Sequence, residues 1–364
     1  MLSKSRVAIL MPSKRWGGIE RVNVNLSNEF IKKDIQVDLL LSRGGVTPYP
    51  ETLDKRVRVI DLKANHKLTA FPKVKKYIKV HRPDALLTAS DHGAKVGIAA
   101  SEINFSNTPV YIVIHGTLST SINKFWRRFF IRYGYPLADK IIAVSQGVAD
   151  YLSLELGVPA NKIRVIYNPV ITSDLYKMSY KQIDHPWFCS HDVPVILGAG
   201  RLSHEKDFPT LIRAFASVRQ HLKCKLVILG EGNERERLYN LIQELGILKD
   251  VDLPGFVSNP YPLIAQSDVF VLSSVWEGLP TVLIEALALN TPVISTDCPG
   301  GSKEILDGGR YGYLVPVKND KALADAIHKT LTNPLRKDSL QEAVIPFQAH
   351  SVARSYLEIM GLLS

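Results

Sequence analysis

Short apolar runs alternate with segments of helical periodicity along the whole chain. In the first half, residues 7–12, 37–41, 57–62, 85–89, 110–114, 141–144 and 165–167 read as strands, with helical patterns between most of them. The clearest helix is 19–33, where Val22, Leu26 and Phe30 recur at helical spacing behind Gly17-Gly18. Strands that alternate with helices in this way predict a parallel sheet.

The rhythm fails between residues 174 and 193, a stretch without clean periodicity that contains His185-Pro186 and Val193-Pro194. An interdomain linker is expected there. Alternation restarts with strands at 195–197, 225–229, 269–272, 293–295 and 313–315, and a further strand is expected to begin near Asp250-Val251-Asp252. The expected fold class is α/β, with two Rossmann-like doubly wound domains facing each other across a cleft. The domains are 1–175 and 190–346, because a chain of 364 residues exceeds what one core usually supports. Nucleotides bind at the carboxyl edges of such sheets.

Four features follow predicted strands. Gly17-Gly18 lets backbone amides approach an anion at a helix start, although a plain turn uses the same residues. Arg201 and Lys206, in Gly200-Arg201-Leu202-Ser203-His204-Glu205-Lys206, bring two cations to one strand end. They suit a nucleotide diphosphate leaving group stabilised without a metal. In Ser274-Val275-Trp276-Glu277-Gly278-Leu279-Pro280-Thr281, Pro280 suits a first helical turn, and the amides near Leu279 to Val282 should point into the crevice. Glu285 follows in a context too apolar for routine exposure, so Glu277 and Glu285 are placed to grip opposite ends of one donor. The fourth feature, His115, follows strand 110–114 and is expected to project from its edge.

Charge adds an asymmetry. The net charge is +10, but residues 1–185 hold 28 Lys+Arg against 15 Asp+Glu and the remainder 17 against 20, so the first half faces an anionic partner. Within it, 124–133 reads as a basic amphipathic helix. Trp126, Phe129, Phe130, Tyr133 and Leu137 fall on one face, and Lys124, Arg127, Arg128 and Arg132 on the other. With the basic stretch 73–82 this predicts binding to an anionic membrane surface; packing of the aromatic face into the core is the alternative. No apolar run reaches the roughly 18 residues that span a bilayer. Neither a signal peptide nor a disulfide framework is expected, given the short apolar stretch near the start and three cysteines, Cys189, Cys224 and Cys298. The expected location is cytoplasmic, peripheral on the inner face of the cell membrane. No nucleic-acid partner is expected, since the basic residues lack an aromatic recognition motif.

Together these motifs resemble the retaining glycosyltransferases of family 4, which have the GT-B fold, from about residue 5 to the end of the chain. Glu277 and Glu285 match the Glu-x7-Glu signature, Gly200 to Lys206 the G-R-L-x-x-x-K segment, and Gly17 to Glu20 the N-terminal G-G-x-E loop. The resemblance implies that Arg201 and Lys206 bind the donor phosphates and Glu285 the ribose. Glu277 with Gly278, Leu279, Pro280 and Thr281 would orient the sugar, and His115 would face it. Gly230-Glu231-Gly232 and Gly255-Phe256-Val257 would lie near the base. Asn168-Pro169 would be an interdomain turn, and residues 347–364 a helix returning to the first domain. It further implies retention by front-face attack, with no protein nucleophile, no cofactor and no metal. The Asp250-x-Asp252 pair is read as coincidental. The donor would be a nucleotide diphosphate sugar, UDP-linked in preference to GDP-linked, and the acceptor a lipid-linked or free glycan of a bacterial surface polysaccharide, lipopolysaccharide or glycoprotein. An epimerase on the same fold, a nucleic-acid-binding module and an inactive scaffold are the competing readings.

Overall fold

The computed structural model describes residues 4–11, 17–42, 47, 49–64, 67–103, 108–116, 125–190, 192–333 and 340–363. The chain divides into two compact units, residues 1–170 with 347–364, and residues 171–346.

The first unit holds a seven-stranded sheet of β1 (Arg6–Met11), β2 (Gln36–Leu41), β3 (Arg58–Asp61), β4 (Ala85–Thr88), β5 (Val110–Ile114), β6 (Lys140–Ala143) and β7 (Ile163–Val165), in the order β3-β2-β1-β4-β5-β6-β7. Every neighbouring pair is parallel. Helices cover both faces of such a sheet, so its central strands read as unbroken apolar runs; Val7 to Met11 are at most 1% exposed. The last strand ends at Val165, where a strand was expected to begin. Ile163 is the buried member of β7, and the chain beyond Val165 leaves the ladder.

Part of the excess positive charge is used inside this unit. Asp38, 2% exposed, accepts from Arg6, Arg58 and Tyr77. The chain returns to this unit at Phe347, whose carbonyl accepts from Val170 N at 3.1 Å. The helix Ala349–Ile359 then packs on the helix Gly18–Lys32 with Tyr356 and Leu357 buried.

The second unit holds β8 (Val195–Ala199), β9 (Lys225–Leu229), β10 (Val251–Gly255), β11 (Val269–Leu272), β12 (Val293–Thr296) and β13 (Tyr313–Val315), in the order β10-β9-β8-β11-β12-β13, all parallel. Pro254 lies within β10, which is tolerated because β10 is an edge strand. The core is built from Ile196, Leu226 and Ile228 on the sheet, with Leu211 and Phe215 from the helix Phe208–Arg219 and Leu323 and Ile327 from Asp320–Thr332.

The stretch 174–193 expected as a linker is largely folded. It contains most of the helix Ser173–Ser179, capped by Thr172 Oγ1 accepting from Leu175 N at 3.2 Å, and the short helix Pro186–Ser190. Short helices defeat periodicity because too few turns repeat to register a pattern.

In each sheet the strand order reverses once, between β1 and β4 in the first unit and between β8 and β11 in the second. In open α/β sheets, ligands bind at such reversals, outside the carboxyl ends of the strands.

Candidate active site

In the second unit, the loops that follow β8 and β11 flank the reversal and are tied to each other. Val275 N donates to Glu205 O at 2.9 Å, and Ser273 Oγ to Lys206 O at 2.8 Å. Lys206 Nζ meets Glu277 Oε1 at 2.5 Å, and Ser274 Oγ donates to the same oxygen at 2.6 Å. The Lys206 and Glu277 side chains are 18% and 12% exposed, so their attraction is screened far less than at an open surface. Arg201 is exposed on the same loop. Two cations and a carboxylate thus sit together at the sheet edge.

The turn 230–232 supports this loop through backbone packing. A Cβ on Gly230 (φ +136°) would lie 1.9 Å from Gly200 O, and one on Gly232 would lie 2.1 Å from Leu202 O. Leu202 N donates to Glu231 O at 3.0 Å, and Glu234 N to Leu202 O at 3.0 Å. These two glycines let the chain lie directly against residues 200–202.

A third strand end completes the arrangement, and it was not singled out in the sequence. Beyond β12, Pro299 O accepts from Glu277 N at 3.0 Å, and Gly301 N donates to Gly278 O at 2.8 Å. Gly300 has φ +125°, and a Cβ there would meet Glu277 O at 2.2 Å. The backbone of Glu277 and Gly278 is therefore clamped by residues 299–301. The signal was present: Gly300-Gly301 after a strand is the same pattern noted at Gly17-Gly18.

The helix Thr281–Ala288 starts one residue later than expected, with Pro280 at its N-cap (φ −71°, ψ 96°). The first bond to that turn, Leu283 N to Pro280 O, is 3.1 Å, so the Thr281 and Val282 amides belong to the set that no helical carbonyl reaches. Leu279 and Pro280 are buried beside them. Glu285 is 6% exposed and accepts from Tyr261 Oη at 3.4 Å. Val257 is half-buried past β10, behind Gly255 (φ +91°). Glu277, Lys206, Gly278, Leu279, Pro280, Thr281 and Glu285 therefore share one structural neighbourhood, with Arg201 and Val257 on neighbouring loops.

Asp250 and Asp252 are engaged elsewhere. Lys225 Nζ lies 2.9 Å from Asp250, which also pairs with Arg219, and His185 Nε2 is 3.0 Å from Asp252. Burial would raise the Asp250 pKa, but the Lys225 and Arg219 hydrogen bonds outweigh it and hold the carboxyl below its ordinary value. No group of three or more potential metal ligands occurs among the described residues.

In the first unit, Gly17 is extended (φ −166°, ψ 179°) and caps the helix Gly18–Lys32. A Cβ on Gly17 would be 3.0 Å from Glu20 Oε2, so a carboxylate of this helix already lies at its positive end. His115 follows β5. Its residue surface is only partly covered, but both ring nitrogens are buried and without hydrogen-bond partners among the described residues. Desolvation drives its pKa down to about 4, outweighing the opposite effect of the Asn168 side chain, so the imidazole is neutral at physiological pH.

The basic aromatic helix forms over Phe125–Gly134, but its faces divide differently from the expectation. Ile131 and Gly134 are buried, as is Tyr135 just beyond the helix, and Phe130 packs edge-on against Tyr135 at 5.7 Å. Arg127 turns to Asp91 at 3.6 Å, and Arg128 Nη2 donates to Glu155 O at 3.0 Å. Phe129, Tyr133 and Leu137 stay exposed, with Arg132 5.6 Å from the Tyr133 ring. Leu137 leaves the wheel because the helix gives way to a 3-10 turn, Tyr135–Leu137. Lys124 lies outside the described residues, as does the Trp126 side chain. No helix among the described residues is long and apolar enough to cross a membrane.

Comparison with known proteins agrees with this geometry. Residues 16–174 match the family Glycosyltransferase Family 4, and residues 181–345 match Glycosyl transferases group 1. The chain is 33% identical over 73% of its length to an N-acetylgalactosamine-N,N'-diacetylbacillosaminyl-diphospho-undecaprenol 4-alpha-N-acetylgalactosaminyltransferase of Campylobacter jejuni, covering 68% of that protein. It is 28% identical over 93% of its length to a GalNAc-alpha-(1->4)-GalNAc-alpha-(1->3)-diNAcBac-PP-undecaprenol alpha-1,4-N-acetyl-D-galactosaminyltransferase of the same organism, covering 92% of it. Among solved structures, Anabaena Alr3699/HepE in complex with UDP and glucose superposes with a TM-score of 0.82 at 22% identity, over 98% of this chain and 99% of that one. With both halves matched in order and the motif residues gathered at the strand ends, this chain belongs to the group 1, family 4 glycosyltransferases and has their GT-B fold.

Proposed function

We propose that this glycosyltransferase is retaining and moves a hexose or N-acetylhexosamine from a UDP-sugar to a lipid-linked glycan acceptor in bacterial surface glycan assembly. The observation that carries the donor site is the Lys206–Glu277 contact at the sheet reversal, with the unbonded helix-start amides between Glu277 and Glu285. Lys206 and Arg201 neutralise the departing diphosphate, so the protein supplies the charge that a metal supplies in other transferases. Glu285 receives the ribose, and Glu277 orients the sugar. His115 of the first unit serves the sugar as a neutral hydrogen-bonding group. The bond from sugar C1 to the β-phosphate oxygen breaks, and C1 bonds to the acceptor oxygen on the same face. The acceptor proton passes to the departing phosphate.

The two Campylobacter relatives carry undecaprenol-linked acceptors in their names, which supports a lipid-linked acceptor here. UDP in the HepE complex supports a uridine nucleotide. A ligand at 100 times its Kd stabilises the folded protein by about 2.7 kcal/mol. With chelator present, UDP is therefore expected to raise the melting temperature by several degrees and GDP by much less. If neither UDP nor any UDP-sugar shifts it, the donor assignment is wrong.

The exposed Phe129, Tyr133 and Leu137, flanked by Arg128 and Arg132, are assigned to an anionic membrane surface on the cytoplasmic side. Basic residues near such a surface contribute about 1 kcal/mol each. The protein is expected to float with phosphatidylglycerol vesicles and not with phosphatidylcholine vesicles. Replacing Arg128 and Arg132 together by glutamine should weaken binding by about tenfold or more. Absence from both floated fractions would remove the membrane from this account.

A further inference from the structure

Two strands apart at the carboxyl edge of the first sheet, His115 and Asn168 bury hydrogen-bonding atoms that nothing answers. Among the described residues, both ring nitrogens of His115 and Asn168 Oδ1 lack a hydrogen-bond partner. Buried polar side-chain atoms are paired in the large majority of cases, so three orphans on two side chains call for a reason.

Asn168 is held in place from several directions. Asn25 Nδ2 donates to Pro169 O at 2.8 Å, and Val170 N donates to Phe347 O at 3.1 Å. Tyr167 packs edge-on against the Phe347 ring at 4.9 Å. These contacts fix the backbone on both sides of Asn168, which is 3% exposed. A simple interdomain turn has no need of a buried amide, and a proline follows it in any case.

We propose that Asn168 is a positioning residue for His115: its Oδ1 accepts the N–H of the ring nitrogen that faces it, and the opposite ring nitrogen presents a lone pair to a sugar hydroxyl. This rests on the role given to His115 above. The imidazole suits the task because burial keeps it neutral, and among the described residues no charged side chain contributes to its pKa, only the Asn168 side chain. A neutral imidazole has one donor and one acceptor, so an acceptor on one side dictates what the other side offers. Asn168 is close enough to act on the His115 imidazole, yet the two side chains make no hydrogen bond of ordinary geometry. Catalytic hydrogen bonds of this kind commonly tighten only with substrate bound.

The test combines nuclear magnetic resonance with kinetics on the full chain labelled with ¹⁵N in histidine rings, the His115 signals being identified by their loss in His115→Gln. The native protein should show one dominant neutral tautomer of His115 that does not titrate above about pH 5. Asn168→Asp places a carboxylate beside the ring and should raise the His115 pKa by about one unit or more, moving the acid limb of kcat/KM upward with it. Asn168→Ala should give mixed tautomers and a kcat about tenfold lower with little change in donor KM. An unchanged tautomer in Asn168→Ala, in a variant that melts as the native protein does, overturns the proposal even if Asn168→Asp fails to fold. A shifted pKa with unaltered kinetics would place the failure in the role given to His115, not in the Asn168 contact.

Discussion

Lys206→Ala is expected to lower kcat/KM for transfer by about 10²- to 10³-fold, the usual loss when one preorganised electrostatic stabiliser is removed from a reaction centre. Lys206 lies on the loop after β8, beside the sheet reversal, and its tight contact with Glu277 Oε1 makes it a partner of the second candidate residue as well. In the proposed role, removing it would withdraw charge from the leaving diphosphate and free Glu277 from its orientation. Ser274 Oγ still donates to the carboxylate, so the fold should survive with a melting temperature a few degrees lower. Lys206→Arg is not expected to restore activity, because a planar guanidinium does not fit where a compact ammonium sits 2.5 Å from a carboxylate. Steady-state kinetics beside a melting curve decide the matter. Near-native kcat/KM in Lys206→Ala would mean that the phosphate site lies elsewhere.

Gly300→Ala should be nearly as damaging to activity although residue 300 has no side chain to contribute. The added Cβ would lie 2.2 Å from Glu277 O, so either the 299–301 segment or the Glu277 backbone must move. Displacement of a reacting group by about 1 Å costs on the order of 10²-fold in rate. The backbone penalty at φ +125° adds about 1–3 kcal/mol of lost stability. Gly308→Ala is the control: Gly308 also has positive φ (+65°), but nothing lies within 4 Å of its Cβ position. It should lose some stability and keep full activity. If Gly300→Ala transfers sugar as fast as the native protein, the clamp does not position Glu277.

Both outcomes depend on features with different visibility in the sequence. Glu277 and Glu285 were legible because their spacing spans a loop and a helix start within one strand-to-helix connection, and local connections preserve geometry. Arg201 and Lys206 were legible for the same reason. What joins the two segments was not legible. Lys206 and Glu277 lie 71 positions apart in the chain, and only the sheet order puts β8 beside β11 and so brings their loops together. The clamp by residues 299–301 is a contact of the same kind, made by backbone atoms that every residue possesses. The resemblance implies that the 230–232 turn lies near the base; the structure adds that its glycines admit the backbone of residues 200–202, a contact no local pattern announces.

The basic aromatic helix shows where a helical wheel stops being informative. It groups Phe130 with Phe129 and Tyr133, whereas Phe130 packs against the buried Tyr135 and the other two stay exposed, and it could not foresee that Asp91 would draw Arg127 inward. The periodic pattern by itself determined two parallel α/β sheets and their approximate strands, because buried strands and amphipathic helices impose local hydrophobic periods, while the family resemblance rested on the motif residues. Tertiary structure alone decided the strand order, the division at residues 170 and 171, the partners of each charge and the burial of His115 and Asn168. Those properties come from contacts between residues far apart in the chain, and no local period encodes such contacts.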